Sequence, residues 1–149
     1  MIEDRVSALE LREAVSVEPD ETIAETIALM RRHQTGCVVV RQQGALKGIF
    51  TERDILTGVL TEGVRLETPI STVMTAGPET LLLTDSVADV IRRMNDGGYR
   101  HMPVVEASGD VVGVVSVKCV VQYLVEHFPE AVYNLPPDPN ALSTAREGG

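Results

Sequence analysis

The sequence predicts an α/β (α+β) fold built from two tandem copies of one small unit, and three observations lead to it. First, residues 44–54, GALKGIFTERD, return as residues 109–119, GDVVGVVSVKC. Gly44/Gly109, Gly48/Gly113, Ile49/Val114, Thr51/Ser116 and Asp54/Cys119 are all 65 positions apart. Repetition at a fixed spacing marks a duplicated supersecondary unit. Second, the 3–4 residue apolar spacing of Ile23, Ile27 and Met30 is answered by Val87, Val90, Ile91 and Met94, which predicts one amphipathic helix per copy. Third, each copy carries two short β-branched or apolar runs around a polar turn, the pattern of a hairpin.

In chain order, residues 1–15 are mixed, with Val6, Leu9 and Leu11 able to cover an apolar surface. Residues 15–17 are briefly extended. Pro19-Asp20-Glu21-Thr22 then reads as a helix start with Asp20 as cap, opening a helix over 21–32. His33-Gln34-Thr35-Gly36 ends that helix, 37–40 is a strand, 41–45 a polar turn, 46–50 a second strand, and 51–60 a second helix. Residues 61–72, broken by Gly63 and Pro69, are a linker. In the second copy Asp85 is the expected cap of a helix over 86–95. A loop at 97–100, strands at 101–105 and 111–115 around a turn at 106–110, and a helix over 116–126 follow. Pro129, Pro136, Pro137 and Pro139 make a continued helix beyond about residue 132 unfavourable. Tyr133 and Leu135 can anchor the first part of this tail, and its last residues are expected to be mobile.

A chain of 149 residues and 16.1 kDa holds one ordinary domain or two small ones sharing a core. With 44% apolar residues but 3% aromatic and no Trp, that core is aliphatic, and base-stacking platforms are scarce. The net charge of -9 repels polyanions, so nucleic acid is not an expected partner; Arg31-Arg32 and Arg92-Arg93 read as solvated helix faces. Two cysteines make neither a disulfide framework nor a closed zinc set. No secretory pattern and no apolar run of membrane-spanning length is visible, so the expected compartment is the cytoplasm, with no membrane partner.

Neither copy can bury its layers alone, so the two are expected to face each other across a pseudo-two-fold axis. Gly48 and Gly113 either admit a closely approaching backbone or simply start a strand after a turn. The paired motifs TGCVVV with GIFTERD, and GYRHMPVV with GVVSVKC, resemble a tandem pair of CBS (cystathionine β-synthase) domains. The resemblance covers roughly residues 9 to 128 and implies β-α-β-β-α units. The expected division is 9–60 for the first domain, 61–72 for the linker, 73–128 for the second domain and 129–149 for the tail.

Thr51 and Asp54 share one face at a helix start. A carboxylate there can accept from a vicinal diol, and equally the pair can form a capping box. Arg100-His101-Met102-Pro103 is the second group. Arg100 can fork onto phosphate, His101 can donate, and Met102 offers a soft apolar side to a purine; the alternatives are a solvated surface residue for Arg100 and a structural histidine for His101. The resemblance implies a cross-wise cleft in which Thr51, Arg53 and Asp54 of one copy join Arg100, His101, Met102 and Pro103 of the other around an adenosine nucleotide. The opposite cleft would pair Ser116 and Lys118 with Gly36 and Cys37. With Cys119 in place of the carboxylate, it is expected to be empty or weak. Cys37 and Cys119 are either a thiol pair or two small hydrophobes.

No Ser/His/Asp or Cys/His arrangement emerges, so catalysis, a cofactor and a metal are not expected. The expected function is a regulatory or sensor module that reversibly binds AMP, ADP or ATP ahead of S-adenosylmethionine. It would be a homodimer acting on an effector protein in trans. The alternative is a ligand-free interaction or scaffold module.

Overall fold

Side-chain caps decide where the long helices of the computed structural model begin; it describes residues 4–127. The expected tail over 129–149 lies outside the described residues. Strand β1 (Ser16–Val17) leads to α1 (Ile23–His33). The cap of α1 is Thr22, not Asp20: its hydroxyl accepts from Glu25 N–H at 3.0 Å while the Glu25 carboxylate accepts from Thr22 N–H at 3.3 Å. Thr22 prevails because only it has an acid three residues on, so two orphan donors are satisfied reciprocally. After β2 (Cys37–Gln42), β3 (Ala45–Thr51), α2 (Glu52–Asp54), β4 (Thr75–Ala76) and β5 (Leu81–Leu82) comes α3 (Val87–Gly97). It is capped by Ser86, whose hydroxyl accepts from Asp89 N–H at 3.0 Å. Asp85 instead accepts from Leu82 N–H at 2.8 Å and stands 3.6 Å from Arg93. Arg93 is not a solvated residue either: it donates to Glu79 at 2.7 Å and to the Thr80 carbonyl at 2.9 Å, tying the second copy's lead-in to α3.

The strands β6 (His101–Val105) and β7 (Val111–Ser116) and helix α4 (Val117–His127) complete the second copy. Each copy is therefore a β-α-β-β-α unit, with sheets ordered β1-β2-β3-β4 and β5-β6-β7. The hairpins align Cys37 with Thr51 and Val39 with Ile49 in one sheet, and His101 with Ser116 and Pro103 with Val114 in the other.

Period-two alternation then sorts these strands into three layers. On the outer face of the first sheet, Val38, Val40 and Phe50 pack with Ile23 and Met30 of α1. On that of the second, Met102, Val104 and Val115 pack with Val87, Val90 and Met94 of α3. Between the sheets Cys37, Val39 and Ile49 meet Val114. This inner layer draws on both repeats, so neither repeat is complete without the other.

The lead-in segment crosses over. Val6 and Leu9 are buried in the core of the second repeat, and Arg12 exchanges two backbone hydrogen bonds of 3.0 Å with Val114. Symmetrically, β4 pairs with β3, and Ile70 of the linker is fully buried in the first core. Both glycines, each inside the second strand of its hairpin, admit these segments. A Cβ on Gly48 would lie 2.8 Å from the Thr75 carbonyl oxygen, and one on Gly113 3.1 Å from that of Arg12. Close backbone approach is thus the reason for glycine at both positions.

The helix expected over 51–60 is only partly α. Beyond α2, residues Ile55–Leu60 wind as a π-helix, with Thr61 N–H on the Leu56 carbonyl at 3.2 Å. Hydroxyls fill the widened turns, Thr57 donating to Arg53 O at 2.9 Å and Thr61 to Leu56 O at 2.7 Å. Such segments are rare and cluster at functional sites.

Candidate functional site

Thr51 ends β3 with an extended backbone and caps α2, so a strand end, a hydroxyl and a helix start converge on Asp54. The Asp54 carboxylate accepts from Thr51 N–H at 2.9 Å and Thr51 Oγ1 at 3.3 Å through Oδ2, and from Thr75 Oγ1 at 3.2 Å through Oδ1. The capping box expected from the spacing is fully formed. It does not exhaust the carboxylate, which offers about four acceptor sites. The fourth site, and the one a rotating Thr75 hydroxyl can vacate, make two acceptors side by side, the arrangement a vicinal diol requires. Arg53 is exposed beside them.

His101 approaches from the second repeat. It is partly exposed and its imidazole is held below the ordinary histidine range, first by burial; Glu52 pulls in the opposite direction, and Arg12 and Arg100 reinforce the lowering. The groups acting on His101 thus come from the first helix start, the crossing lead-in and its own repeat. The exposed Arg100 precedes it, and its carbonyl accepts the first amide of α4 at 3.0 Å. Met102 and Pro103 require a correction. Met102 is fully buried in the core of the second repeat, on the opposite face of β6 from His101, and offers no surface to a ligand. Pro103 is also buried, in register with Val114 of the layer between the sheets. Strand alternation dictates both outcomes, because residues 101 and 103 share one face and 102 the other.

A residue absent from the expected site is Glu52. Considered only as a catalytic acid paired with Asp54, it diverges from that carboxylate and lies over Gly36, where an added Cβ would be 2.5 Å from Glu52 Oε1.

One cleft of the structure lies away from Asp54. A concavity of about 360 Å³ lies against Ser116, Lys118 and Cys119, walled by Glu10, Leu11, Arg12 and Gln122. This is the equivalent helix start of the second repeat, where Ser116 caps Cys119 N–H at 3.1 Å. Its volume accommodates a small ligand, but a thiol stands at the diol-binding position. That thiol donates to the Glu10 carbonyl at 3.1 Å. Without a carboxylate at its helix start this cleft lacks the hydroxyl-capped acceptor that Asp54 presents, so the chemistry favours Asp54.

The two cysteines are free thiols in different settings. Cys37 is buried between the sheets, and burial, followed by the charge of Asp54, pushes its thiol up to about 12. Cys119 is half-buried, and burial raises its thiol too. Iodoacetamide at pH 8 is accordingly expected to modify native Cys119 about tenfold faster than Cys37, because alkylation needs an accessible thiolate. Peptide mass spectrometry over a time course measures this; equal rates would contradict the burial of Cys37.

Two face-to-face β-α-β-β-α repeats with a helix start at their junction define a duplicated α/β module. The chain belongs to the CBS domain family, whose sequence profile matches residues 6–61 and 70–126. CBS domain-containing protein CBSCBSPB1 of Arabidopsis thaliana is 36% identical over 104 residues, which cover 69% of this chain but 19% of that relative. This chain thus spans about a fifth of that protein's length. A crystal structure of a CBS-domain containing protein from Agrobacterium tumefaciens is 33% identical, covers 75% of this chain and 90% of that one, and superposes with a TM-score of 0.70. A CBS domain protein of Pyrobaculum aerophilum, solved in complex with AMP, is 28% identical, covers 82% and 98% of the two chains, and gives a TM-score of 0.71.

Proposed function

We propose that this protein is a cytoplasmic regulatory module that reversibly binds one adenosine nucleotide between its repeats and acts on an effector protein in trans. Asp54 and Thr51 take the ribose hydroxyls, and Arg100 and His101 take the phosphate, with Arg53 at the rim. The observation that carries this reading is the hydrogen-bonded Asp54 carboxylate at the mouth of α2, a group absent from the equivalent position of the second repeat. The AMP complex of the Pyrobaculum relative supports the ligand class. A ligand gripped by both repeats is fully bound in only one relative orientation, and so selects it.

The module works as a symmetric homodimer. Leu56, Leu60, Val121 and Val125 support this, being exposed at matching positions of the two repeats. Leaving such aliphatic pairs in water is unfavourable, and a second copy offers the same surface in return.

Isothermal calorimetry with AMP tests the nucleotide reading. A saturable heat at about one nucleotide per chain is expected, since only one cleft has its carboxylate. No heat at millimolar AMP would leave the scaffold reading, in which the exposed helix faces recruit a partner and the clefts stay empty.

A further inference from the structure

The Asp54 carboxylate is approached by one donor that does not belong to its own helix start. Oδ2 accepts twice from Thr51, through the N–H at 2.9 Å and the hydroxyl at 3.3 Å, so that oxygen is taken up by the capping box. Oδ1 accepts from the Thr75 hydroxyl at 3.2 Å, across 21 positions of chain. Strand register brings Thr75 there. It lies opposite Ile49 where β4 pairs with β3, and Thr51 follows Ile49 on the same face of β3. Gly48 lets β4 come this close, since a Cβ there would stand 2.6 Å from Met74 Sδ and 2.8 Å from the Thr75 carbonyl oxygen. Thr75 is exposed on a strand of 2 residues, so its hydroxyl turns away from Asp54 without disturbing either core.

Each carboxylate oxygen has two acceptor positions, and Thr75 takes one of those on Oδ1. Its hydroxyl is chemically much like the one a ribose brings. The first ribose hydroxyl therefore uses the remaining position, whereas the second enters only in exchange for that of Thr75. Such an exchange contributes less than a new bond, because the bond given up is subtracted from the bond made. A sugar with a single hydroxyl needs no exchange at all. We infer that Thr75 is a specificity-determining residue: its hydroxyl stands in for one ribose hydroxyl in the free protein, and so restrains both the affinity for ribonucleotides and their advantage over 2′-deoxyribonucleotides. The inference rests on the nucleotide reading above.

The test is calorimetric titration of wild type, Thr75→Val and Thr75→Ser with AMP and with 2′-deoxyadenosine 5′-monophosphate. Thr75→Val keeps the β-branched shape that suits a strand and removes the hydroxyl. It is expected to bind AMP about fivefold more tightly than wild type and the deoxynucleotide within about twofold of wild type, so the preference for ribose widens. Thr75→Ser, which restores the hydroxyl, is expected to return both affinities to within about twofold of wild type. A merely structural contribution of Thr75 to β4 would move both nucleotides together and leave their ratio alone. Equal changes for the two nucleotides, or AMP affinity unchanged or lowered in Thr75→Val, would overturn the role of Thr75 while sparing the nucleotide reading. Absence of binding by either nucleotide to wild type would overturn both.

Discussion

Replacing Asp54 by Ala is expected to weaken AMP binding at least a hundredfold, beyond what calorimetry at ordinary concentrations detects. A ribose diol donates two hydrogen bonds to this carboxylate, and bonds to a charged acceptor contribute about 1.5–3 kcal/mol each. Losing two corresponds to roughly 3–6 kcal/mol, or about two to four decades in Kd. The same change removes the acid of the capping box, whose Oδ2 accepts from Thr51 N–H. Loss of a cap costs about 1 kcal/mol, so the variant stays folded with a slightly lower melting temperature. Asp54→Asn, which retains an acceptor oxygen without the charge, separates the two effects: stability returns towards wild type while binding stays weak. Cys119→Ala is expected to change AMP affinity by less than about threefold, because a thiol makes no charged contact. Undiminished AMP binding by Asp54→Ala would remove this assignment and direct attention to the cleft at Ser116 and Cys119.

Much of this architecture was legible in the chain because it is written locally. The hairpins follow from β-branched runs, and the Thr51/Asp54 capping box from a three-residue spacing. The cap of α1 was equally legible, since Thr22 and Glu25 carry the same spacing, but Asp20 drew the assignment by standing next to Pro19. Met102 was placed in the cleft by analogy of motif, whereas strand alternation already set it on the face opposite His101. Other features were illegible for physical reasons. Which repeat Val6 and Leu9 cover is a long-range choice, fixed by the Arg12–Val114 pairing across some hundred residues. The π-helical turns depend on Thr57 and Thr61 hydroxyls competing for backbone carbonyls, a contest that apolar periodicity does not register. The orientation of Glu52 depends on Gly36, sixteen positions away, lacking a side chain.

Leu60→Glu combined with Val121→Glu is expected to convert the proposed homodimer to a monomer without unfolding it. Leu60 is 66% exposed and Val121 51% exposed within the single chain, so both changes fall outside its cores. Leu56 and Leu60 are four residues apart on the π-helical segment, and Val121 and Val125 four apart on α4, so each pair forms a stripe. Glu52 and Val117 open the two helices at equivalent positions, which puts the stripes on matching faces of the two repeats. In a two-fold assembly every substitution enters the interface twice. Losing burial of one Leu or Val side chain costs about 2 kcal/mol, so even a single substitution weakens the dimer by about 4 kcal/mol, roughly a thousandfold. Desolvating the introduced carboxylates adds to this. Sedimentation equilibrium is expected to give twice the 16.1 kDa chain mass for wild type and the single-chain mass for the variant. A monomeric wild type, or a variant that stays dimeric, would rule out this face as the interface. Because the proposed cleft draws Thr51, Asp54, Arg100 and His101 from one chain, the monomeric variant should still bind AMP within about threefold of wild type, losing only what depends on the partner copy.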